Sequence, residues 1–394
     1  MSVNLSHARY VPRAGETWRD PFRMYAALRE HDPVHHVEQG DYWVLTRHRD
    51  VLAAARDHET FSSAQGLTTA YDELERIGLV DNPPMVMTDP PAHTEFRRLV
   101  SRGFTPRQVE SVEPAVRTFV VERLDRLLAA GGGDIVAELF KPLPSMVVAH
   151  YLGVPEEDRA RFDTWTDAIV AANATATYDG VAGAVGELMG YFTELIEWRR
   201  RHPEDDTVSH LVAAGVAGDD AGVLRVLAFT FTMVTGGNDT STGLLGGAVQ
   251  LLSQRPDQRA PARDDLAATV EELLRLTCPV QGLARTTTRE VVVDGVTIPA
   301  GRKVLLSYGA ANRDHDVYGP DADDLDVTRD PRMILTFAHG AHHCLGAAAA
   351  RMMGRVALDE LLRRIPDFRV DLDAVTWAEG SYVRRPTFVP MEVL

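Results

Sequence analysis

The chain has 394 residues, of which 45% are hydrophobic and 25% are charged, a composition that supports a large buried core and excludes a disordered protein. Lys and Arg number 41 against 57 Asp and Glu, giving a formal net charge of -16, which argues against nucleic-acid binding because phosphate recognition normally needs a basic face. The N-terminal residues have the pattern of neither a signal peptide nor a membrane anchor, so we expect a cytoplasmic protein without a membrane partner.

The sequence contains no Ser/Gly linker, low-complexity run or repeat of fixed period, and we therefore expect a single two-lobed domain over residues 1–394. Apolar strands around a turn predict a hairpin at 33–47, followed by a helix at about Asp50 to Asp57. A second hairpin is predicted around Asp294-Gly295, and a Pro-Ala-Gly turn connects it to a further strand. We expect a small β-rich lobe built from residues 33–47, 283–310 and 367–394.

Helical spacing of apolar residues dominates the rest of the chain, with Pro and Gly at the junctions. The predicted helices cover residues 106–130, 156–173, 181–201, 263–276 and 346–365. The predicted fold class is therefore mainly α with a minor β lobe.

The segment from Val226 to Leu252 contains a single charged residue, Asp239, and no proline. Its length and apolarity would suit a membrane span. Against a span, it holds five glycines and several threonines, and its one acid lies at the middle, where a bilayer tolerates charge least. A long helix through the centre of a large soluble domain is the favoured interpretation.

The chain has two cysteines, too few for a disulfide framework, so each thiol is considered individually. Cys344 follows a glycine- and histidine-rich loop and precedes a predicted helix, whose free N–H groups and dipole stabilise an anionic sulfur. Gly340 permits a tight turn, and Gly346 lets the helix lie close to a flat ligand. Phe337 can cover the sulfur and exclude water.

Two other interpretations compete for this loop. A lone buried cysteine is more often a small core residue than a functional one, and Cys278, which precedes a proline and lacks neighbouring glycines, keeps that interpretation. His339, His342 and His343 beside Cys344 resemble zinc ligands, but zinc sites normally draw ligand pairs from separated positions and no second pair is evident.

Residues 337–346 match the pattern F-x-x-G-x-[HR]-x-C-x-G at every fixed position. This is the haem-binding pattern of the cytochrome P450 superfamily, and the chain resembles the soluble bacterial members of that family from about residue 20 to the C-terminus. The resemblance implies haem b held between the central helix and the helix after the cysteine loop. It implies Cys344 as the axial thiolate ligand of the iron and His342 as a partner of a haem propionate, within a loop that includes Phe337, Gly340 and Gly346.

Glu272 and Arg275 are three residues apart and therefore share one helix face. Such a pair alone is weak evidence, because most decorate solvated surfaces. Its position ahead of the cysteine loop matches the structural Glu-Arg pair of the resembling family. That family usually adds an Arg at the position of Asp324, so the third partner is in doubt, and Arg313 and Arg329 are both candidates.

Residues 236–240, Gly-Gly-Asn-Asp-Thr, resemble the family signature [AG]-G-x-[DE]-T. Small residues let the helix pass over a planar cofactor, and an adjacent acid and alcohol, Asp239 and Thr240, suit proton delivery to dioxygen. The alternatives are a threonine bonded back to its own helix and an aspartate paired with a nearby base. The uncharged surroundings make a lone acid costly, which favours function.

His93 and Arg97 are four residues apart and lie on one helix face. In the resembling family these positions bind haem propionates, for which the Arg fork is well matched, and Arg285 matches a further propionate ligand. Surface ion pairing is the alternative for each residue alone.

Together these patterns predict a haem-thiolate monooxygenase that inserts one atom of dioxygen into a lipophilic small molecule by hydroxylation or epoxidation. We expect a monomer that receives electrons from a ferredoxin and its reductase. The expected docking face is basic, with residues Arg102, Arg107, Arg351 and Arg355. A peroxide-driven peroxygenase and a non-catalytic haem or ligand sensor are the alternatives. The resemblance places the substrate pocket near residues 60–88, 165–195, 232–236, 280–283 and 382–383.

Overall fold

The computed structural model describes residues 9–76, 78–175 and 182–394. The helices are α1 Phe22–His31, α2 His48–Arg56, α3 Glu73–Arg76, α4 Ala92–Val100, α5 Pro106–Ala129, α6 Pro142–Leu152, α7 Arg159–Thr175, α8 Ala182–Arg201, α9 Thr207–Ala213, α10 Asp220–Gln254, α11 Arg259–Asp264, α12 Leu266–Thr277, α13 Tyr308–Ala311, α14 His315–Tyr318 and α15 Ala347–Arg364. The strands are β1 Val34–Val37, β2 Tyr42–Leu45, β3 Phe61–Ser62, β4 Gly132–Asp134, β5 Leu283–Thr287, β6 Val291–Val293, β7 Val296–Ile298, β8 Lys303–Leu306, β9 Phe368–Val370, β10 Thr376–Trp377, β11 Pro386–Phe388 and β12 Pro390–Val393.

The mainly α fold class with a minor β part is confirmed, and most predicted helices begin and end within a few residues of their expected bounds. The predicted helix 263–276 is interrupted, because α11 ends at Asp264 and α12 begins at Leu266. The Asp265 side chain accepts hydrogen bonds from the first N–H groups of α12 and so starts a new helix. Residue 181, the predicted start of α8, lies outside the described residues.

The main sheet has five strands in the order β1-β2-β8-β5-β3. The predicted hairpin at 33–47 is β1 and β2, with Val34 opposite Leu45. The second hairpin, β6 and β7, turns at Asp294 and Gly295, which both have positive φ, and it pairs only with itself among the described strands. Strand β8 does not join this hairpin. It lies in the main sheet, parallel to β2 on one side and antiparallel to β5 on the other. Strands β3 and β4 were not predicted, since two or three residues are too short to show an alternating pattern.

Helix α10 is the central element of the molecule and packs against α6, α7, α12 and α15. It begins where the Asp219 side chain accepts a hydrogen bond from Gly222 N at 2.7 Å, and it continues for 35 residues. Leu244, Leu245 and Val249 are buried in the main core cluster with residues of α5, α12 and α15. No helix in the described ranges is both long and apolar enough to cross a membrane.

The Glu272–Arg275 pair is fully buried at the centre of this core. Arg275 donates from Nε and Nη2 to the two Glu272 carboxylate oxygens, at 2.7 Å each. Its Nη1 donates to the carbonyl oxygens of Asn312, at 2.8 Å, and Ala322, at 2.6 Å. The pair therefore joins α12 to the loop segment that precedes the cysteine loop.

Arg329 is the third partner that the sequence left open. Its Nε donates to Glu272 Oε1 at 3.2 Å, and its Nη2 donates to Asp321 Oδ2 at 2.9 Å. Arg313 instead donates to Asp323 at 3.0 Å and lies over the Phe22 ring. The buried carboxylate thus receives two guanidinium groups, although Asp324 stands at the expected Arg position.

We expect Arg329→Gln to lower the free energy of unfolding by about 2 kcal/mol, because Glu272 then keeps its buried charge with one cation fewer. Chemical denaturation followed by circular dichroism measures the change. The matched control is Arg332→Gln, since Arg332 is 85% exposed and pairs only with Asp330 among the described residues, and it should change stability by less than about 0.5 kcal/mol. Equal losses in both variants would contradict this role for Arg329.

Candidate active site

Cys344 stands three residues before α15, in a loop whose geometry is fixed by backbone hydrogen bonds. Its N–H donates to the Phe337 carbonyl oxygen at 2.9 Å, and Ala350 N donates to Gly346 O at 2.9 Å at the start of the helix. The thiol is accessible. Burial nonetheless raises its pKa, opposed by a hydrogen bond from the Gly346 backbone and by the charges of Arg97 and Arg351. A thiol that is both accessible and desolvated lies in an internal cleft rather than on the outer surface.

Two opposing effects act on the Cys344 sulfur. The helix start does favour the anionic sulfur through the Gly346 N–H, but desolvation outweighs that contribution in the chain alone. A metal cation bonded to the sulfur would stabilise the thiolate, since coordination to a metal deprotonates a thiol. The Cys344 environment therefore fits a metal-bound thiolate better than a free one.

Glycine is required at position 340 for two reasons. Its φ is 74°, in the left-handed region that residues with a side chain rarely adopt. A Cβ there would also come within 2.5 Å of the Ala55 carbonyl oxygen at the end of α2. At Gly346, by contrast, the nearest protein atom to an added Cβ is Cys344 Sγ at 4.0 Å. Phe337 is buried, with the Arg351 guanidinium 4.6 Å from its ring centre.

A group of four basic side chains from separate parts of the chain lies next to the cysteine loop. His93 and His342 stack with ring centres 4.2 Å apart. Burial lowers the pKa of His342 to about 3, and Arg285, His93 and Arg97 lower it further. Arg97 also acts on the Cys344 thiol, so α4, β5 and the cysteine loop converge on one place.

This basic group lacks an anion. Both ring nitrogens of His93 and Nε2 of His342 are buried without a hydrogen-bond partner, as is the Tyr308 hydroxyl, which lies close to Arg285. Across the described residues, no carboxylate lies within ion-pair distance of Arg97 or Arg285. Buried polar groups are normally paired, so the site has unused capacity for an anionic ligand. The propionates of a haem would fit that capacity.

Asp239 and Thr240 lie in the middle of α10. Both make the contacts of the alternative interpretation, in which the threonine bonds back to its own helix and the aspartate pairs with a nearby base. Thr240 Oγ1 donates to the Gly236 carbonyl oxygen at 2.8 Å, although the hydroxyl itself is exposed. Asp239 Oδ1 lies 2.6 Å from Nε of Arg385. Burial raises the pKa of Asp239 to about 6, against the opposing charges of Arg385 and Lys141.

Arg385 was not identified from sequence, because it lies far along the chain and belongs to no recognisable motif. A Cβ added at Gly236 would meet no protein atom within 4 Å, so this side of α10 faces open space. Helix α10 also packs against α15, and Leu244 lies one turn beyond Thr240, where it approaches Gly354. The acid, the alcohol and the cysteine helix therefore belong to one packed unit.

The zinc interpretation finds no support in the geometry. No group of three His, Cys, Asp or Glu within the described ranges could hold a metal ion. His339 shares a hydrogen bond with the Ile334 carbonyl oxygen at 3.2 Å, and His342 stacks on His93.

Comparison with known proteins agrees with this geometry. The family model described as Cytochrome P450 matches residues 263–376. The chain is 67% identical to Cytochrome P450 130 of Mycobacterium tuberculosis over 404 aligned residues that cover all of both chains. It is 36% identical to the Vitamin D(3) 25-hydroxylase of Pseudonocardia autotrophica, covering 96% of this chain and 95% of that one.

Among solved structures, the bacillaene polyketide synthase cytochrome P450 PksS of Bacillus subtilis superposes with a TM-score of 0.87. That structure is 29% identical to the chain, with 98% of this chain and 100% of the other covered. Proteins of this kind are monooxygenases that use haem b. The sequence, the fold and the similarity to these proteins together show that the chain belongs to the cytochrome P450 family.

Proposed function

We propose that the protein hydroxylates or epoxidises a lipophilic small molecule, with Cys344 as the thiolate ligand of the haem iron. The observation that carries this proposal is the accessible Cys344 thiol near a basic group, in which His93 and His342 have unpaired ring nitrogens and Arg97 and Arg285 have no ion-pair partner among the described residues. Bound haem supplies the iron at which dioxygen is activated, and a thiolate ligand favours cleavage of the O–O bond.

His93, Arg97, Arg285 and His342 would hold the two haem carboxylates. Arg97 and Arg285 would supply charge, and the His342 ring would donate an N–H. Gly340 and the Phe337 carbonyl fix the loop so that the Cys344 sulfur is presented from one direction. The arrangement orients the cofactor before any substrate is bound.

Thr240 and Asp239 would deliver protons to dioxygen. The exposed Thr240 hydroxyl can donate to a ligand or to water once its bond to Gly236 O is exchanged. Because the pKa of Asp239 is about 6, its carboxyl group can both take up and release protons near neutral pH. Asp239 would thus return a proton to the Thr240 hydroxyl through water.

The substrate is proposed to be a medium-sized lipophilic molecule. The relative from Pseudonocardia autotrophica is named a vitamin D(3) hydroxylase, which fits an apolar substrate of that size. Gly236 leaves open space on the α10 side of the site. Some of the pocket expected from sequence, at 165–195, falls outside the described residues.

Electrons are proposed to come from a ferredoxin and its reductase, docking on the side of the cysteine helix. The basic face expected there carries less free charge than the sequence suggests, because Arg351 pairs with Glu271 and Arg355 pairs with Glu113. Arg107 remains exposed, and the Arg102 side chain lies outside the described part of the chain. The cytoplasmic location and the monomeric state also stay predictions.

We expect Cys344→Ser to abolish the thiolate-type absorption of the reduced carbon-monoxide complex, because the oxygen ligand donates less charge to the iron. Cys278→Ser is the matched control, since Cys278 is buried in an apolar cluster and should leave that absorption unchanged. Survival of the thiolate-type band in the Cys344 variant would remove this residue from its role.

Arg97→Leu should speed the loss of haem to an excess of a haem-scavenging protein by about tenfold or more, because one charge-assisted bond to a propionate is removed. The matched control is Arg98→Leu, an exposed neighbour on the same helix. If both variants release haem at the native rate, Arg97 does not hold the cofactor.

Thr240→Ala should divert oxygen consumption from product to peroxide or water, raising the uncoupled fraction on the order of tenfold, because proton delivery loses its final donor. Thr230→Ala removes the same kind of bond to the helix backbone at a buried position and serves as control. Measuring oxygen, reduced cofactor and product together gives the coupling, and an unchanged ratio in the Thr240 variant would reject the relay.

A further inference from the structure

One face of α10 is in direct contact with the segment between β10 and β11. Asp239, Gly243 and Gly246 follow a spacing of four and then three residues, so they lie on the same side of the helix. A Cβ at Gly243 would be 2.9 Å from the Arg384 carbonyl oxygen, and one at Gly246 would be 2.4 Å from Pro386 Cγ. The two glycines let this segment approach the helix backbone, which places Arg385 opposite Asp239.

The backbone around Arg385 is held on both sides. The Arg385 carbonyl oxygen accepts a hydrogen bond from Ala378 N at 3.0 Å, and Arg384 N donates to Pro279 O at 2.7 Å. The Arg384 side chain points elsewhere and donates from Nε to the Trp18 carbonyl oxygen at 2.7 Å. With its neighbours fixed, the Arg385 guanidinium has a defined position, and it is only 10% exposed.

The Asp239–Arg385 contact is close. Nε of Arg385 lies 2.6 Å from Asp239 Oδ1, and Arg385 lowers the pKa of Asp239 both by its charge and by a side-chain hydrogen bond. A charge-assisted contact of this length holds the carboxylate oxygen in place.

Two cations act on Asp239 from the elements packed against this part of α10. They are Arg385 and Lys141, which stands at the start of α6 and pairs with Asp167 at 2.9 Å. Both lower the pKa of Asp239, opposing the effect of burial. Arg385 is the one in direct contact, so its charge has the larger effect of the two.

We propose that Arg385 is a positioning residue for proton delivery, which holds the Asp239 carboxylate charged and in place beside Thr240. Arg385 also connects Asp239 to residues 382–383, which are expected to border the substrate. The Tyr382 carbonyl oxygen in this segment accepts a hydrogen bond from Gln281 N at 2.8 Å. The inference rests on the proposed function, because the relay through Asp239 is part of it. Arg385 acts through Asp239 and touches neither substrate nor cofactor in this account.

The test measures the protonation of Asp239 directly, in resting enzyme without turnover. Infrared difference spectra over a pH series should show a carboxyl band that titrates near pH 6 and is absent in Asp239→Asn. In Arg385→Gln the midpoint should rise by about 1 to 3 pH units, since an adjacent opposite charge has been removed. Arg385→Lys keeps the charge and should restore a midpoint close to the native one.

Coupling of oxygen use to product gives a second, independent measurement. Arg385→Gln should uncouple the reaction several-fold at neutral pH, with the loss reduced at higher pH, where Asp239 is again ionised. The double variant Asp239→Asn with Arg385→Gln should be no more uncoupled than Asp239→Asn alone. It also leaves no unpaired buried charge, so it remains informative if the single Arg385 variant does not fold.

A carboxyl midpoint that does not move in Arg385→Gln would overturn the proposal, as would a double variant that loses clearly more coupling than Asp239→Asn. The infrared titration needs no substrate and no electron donor. Its failure can therefore be told apart from a failure of the proposed monooxygenase activity, which would show as absent turnover in the native enzyme.

Discussion

The whole arrangement depends on buried positive charge that no carboxylate in the described part of the chain neutralises. Arg97 and Arg285 stand beside His93, whose two ring nitrogens lack partners, and His342, whose Nε2 lacks one, and Arg97 also acts on the Cys344 thiol, whose pKa desolvation raises. Each of these features is unfavourable alone. One ligand that brings two carboxylates and a metal ion would satisfy all of them, and its binding would then stabilise this region.

The fold supplies the rigidity that such a site requires. The buried Glu272 carboxylate joins α12 to the segment before the cysteine loop through Arg275 and Arg329, and α15 begins directly after that loop. Helix α10 crosses the same core, and its glycines allow the C-terminal segment to approach closely. The acid at position 239 is thus held between two otherwise separate parts of the chain.

The sequence predicts the features that depend on residues close together in the chain. The cysteine loop, the Glu272–Arg275 spacing and the long apolar run of α10 are contiguous patterns, and the predicted elements lie close to the observed ones. Contacts set by the path of a loop were not accessible: the choice of Arg329 over Arg313, the pairing of Arg385 with Asp239, and the position of β8 within the sheet. The number of arginines also overestimates the free positive charge of the docking face, because Arg351 and Arg355 have carboxylate partners.

Every role proposed for the haem site depends on a bond between the Cys344 sulfur and the iron of a bound haem. X-ray absorption at the iron edge of the purified, substrate-free protein detects this bond, because it identifies the atoms in the first coordination shell. We expect one sulfur neighbour together with the four porphyrin nitrogens. A shell of nitrogen and oxygen alone, or a protein that takes up no haem, would show that this bond is absent.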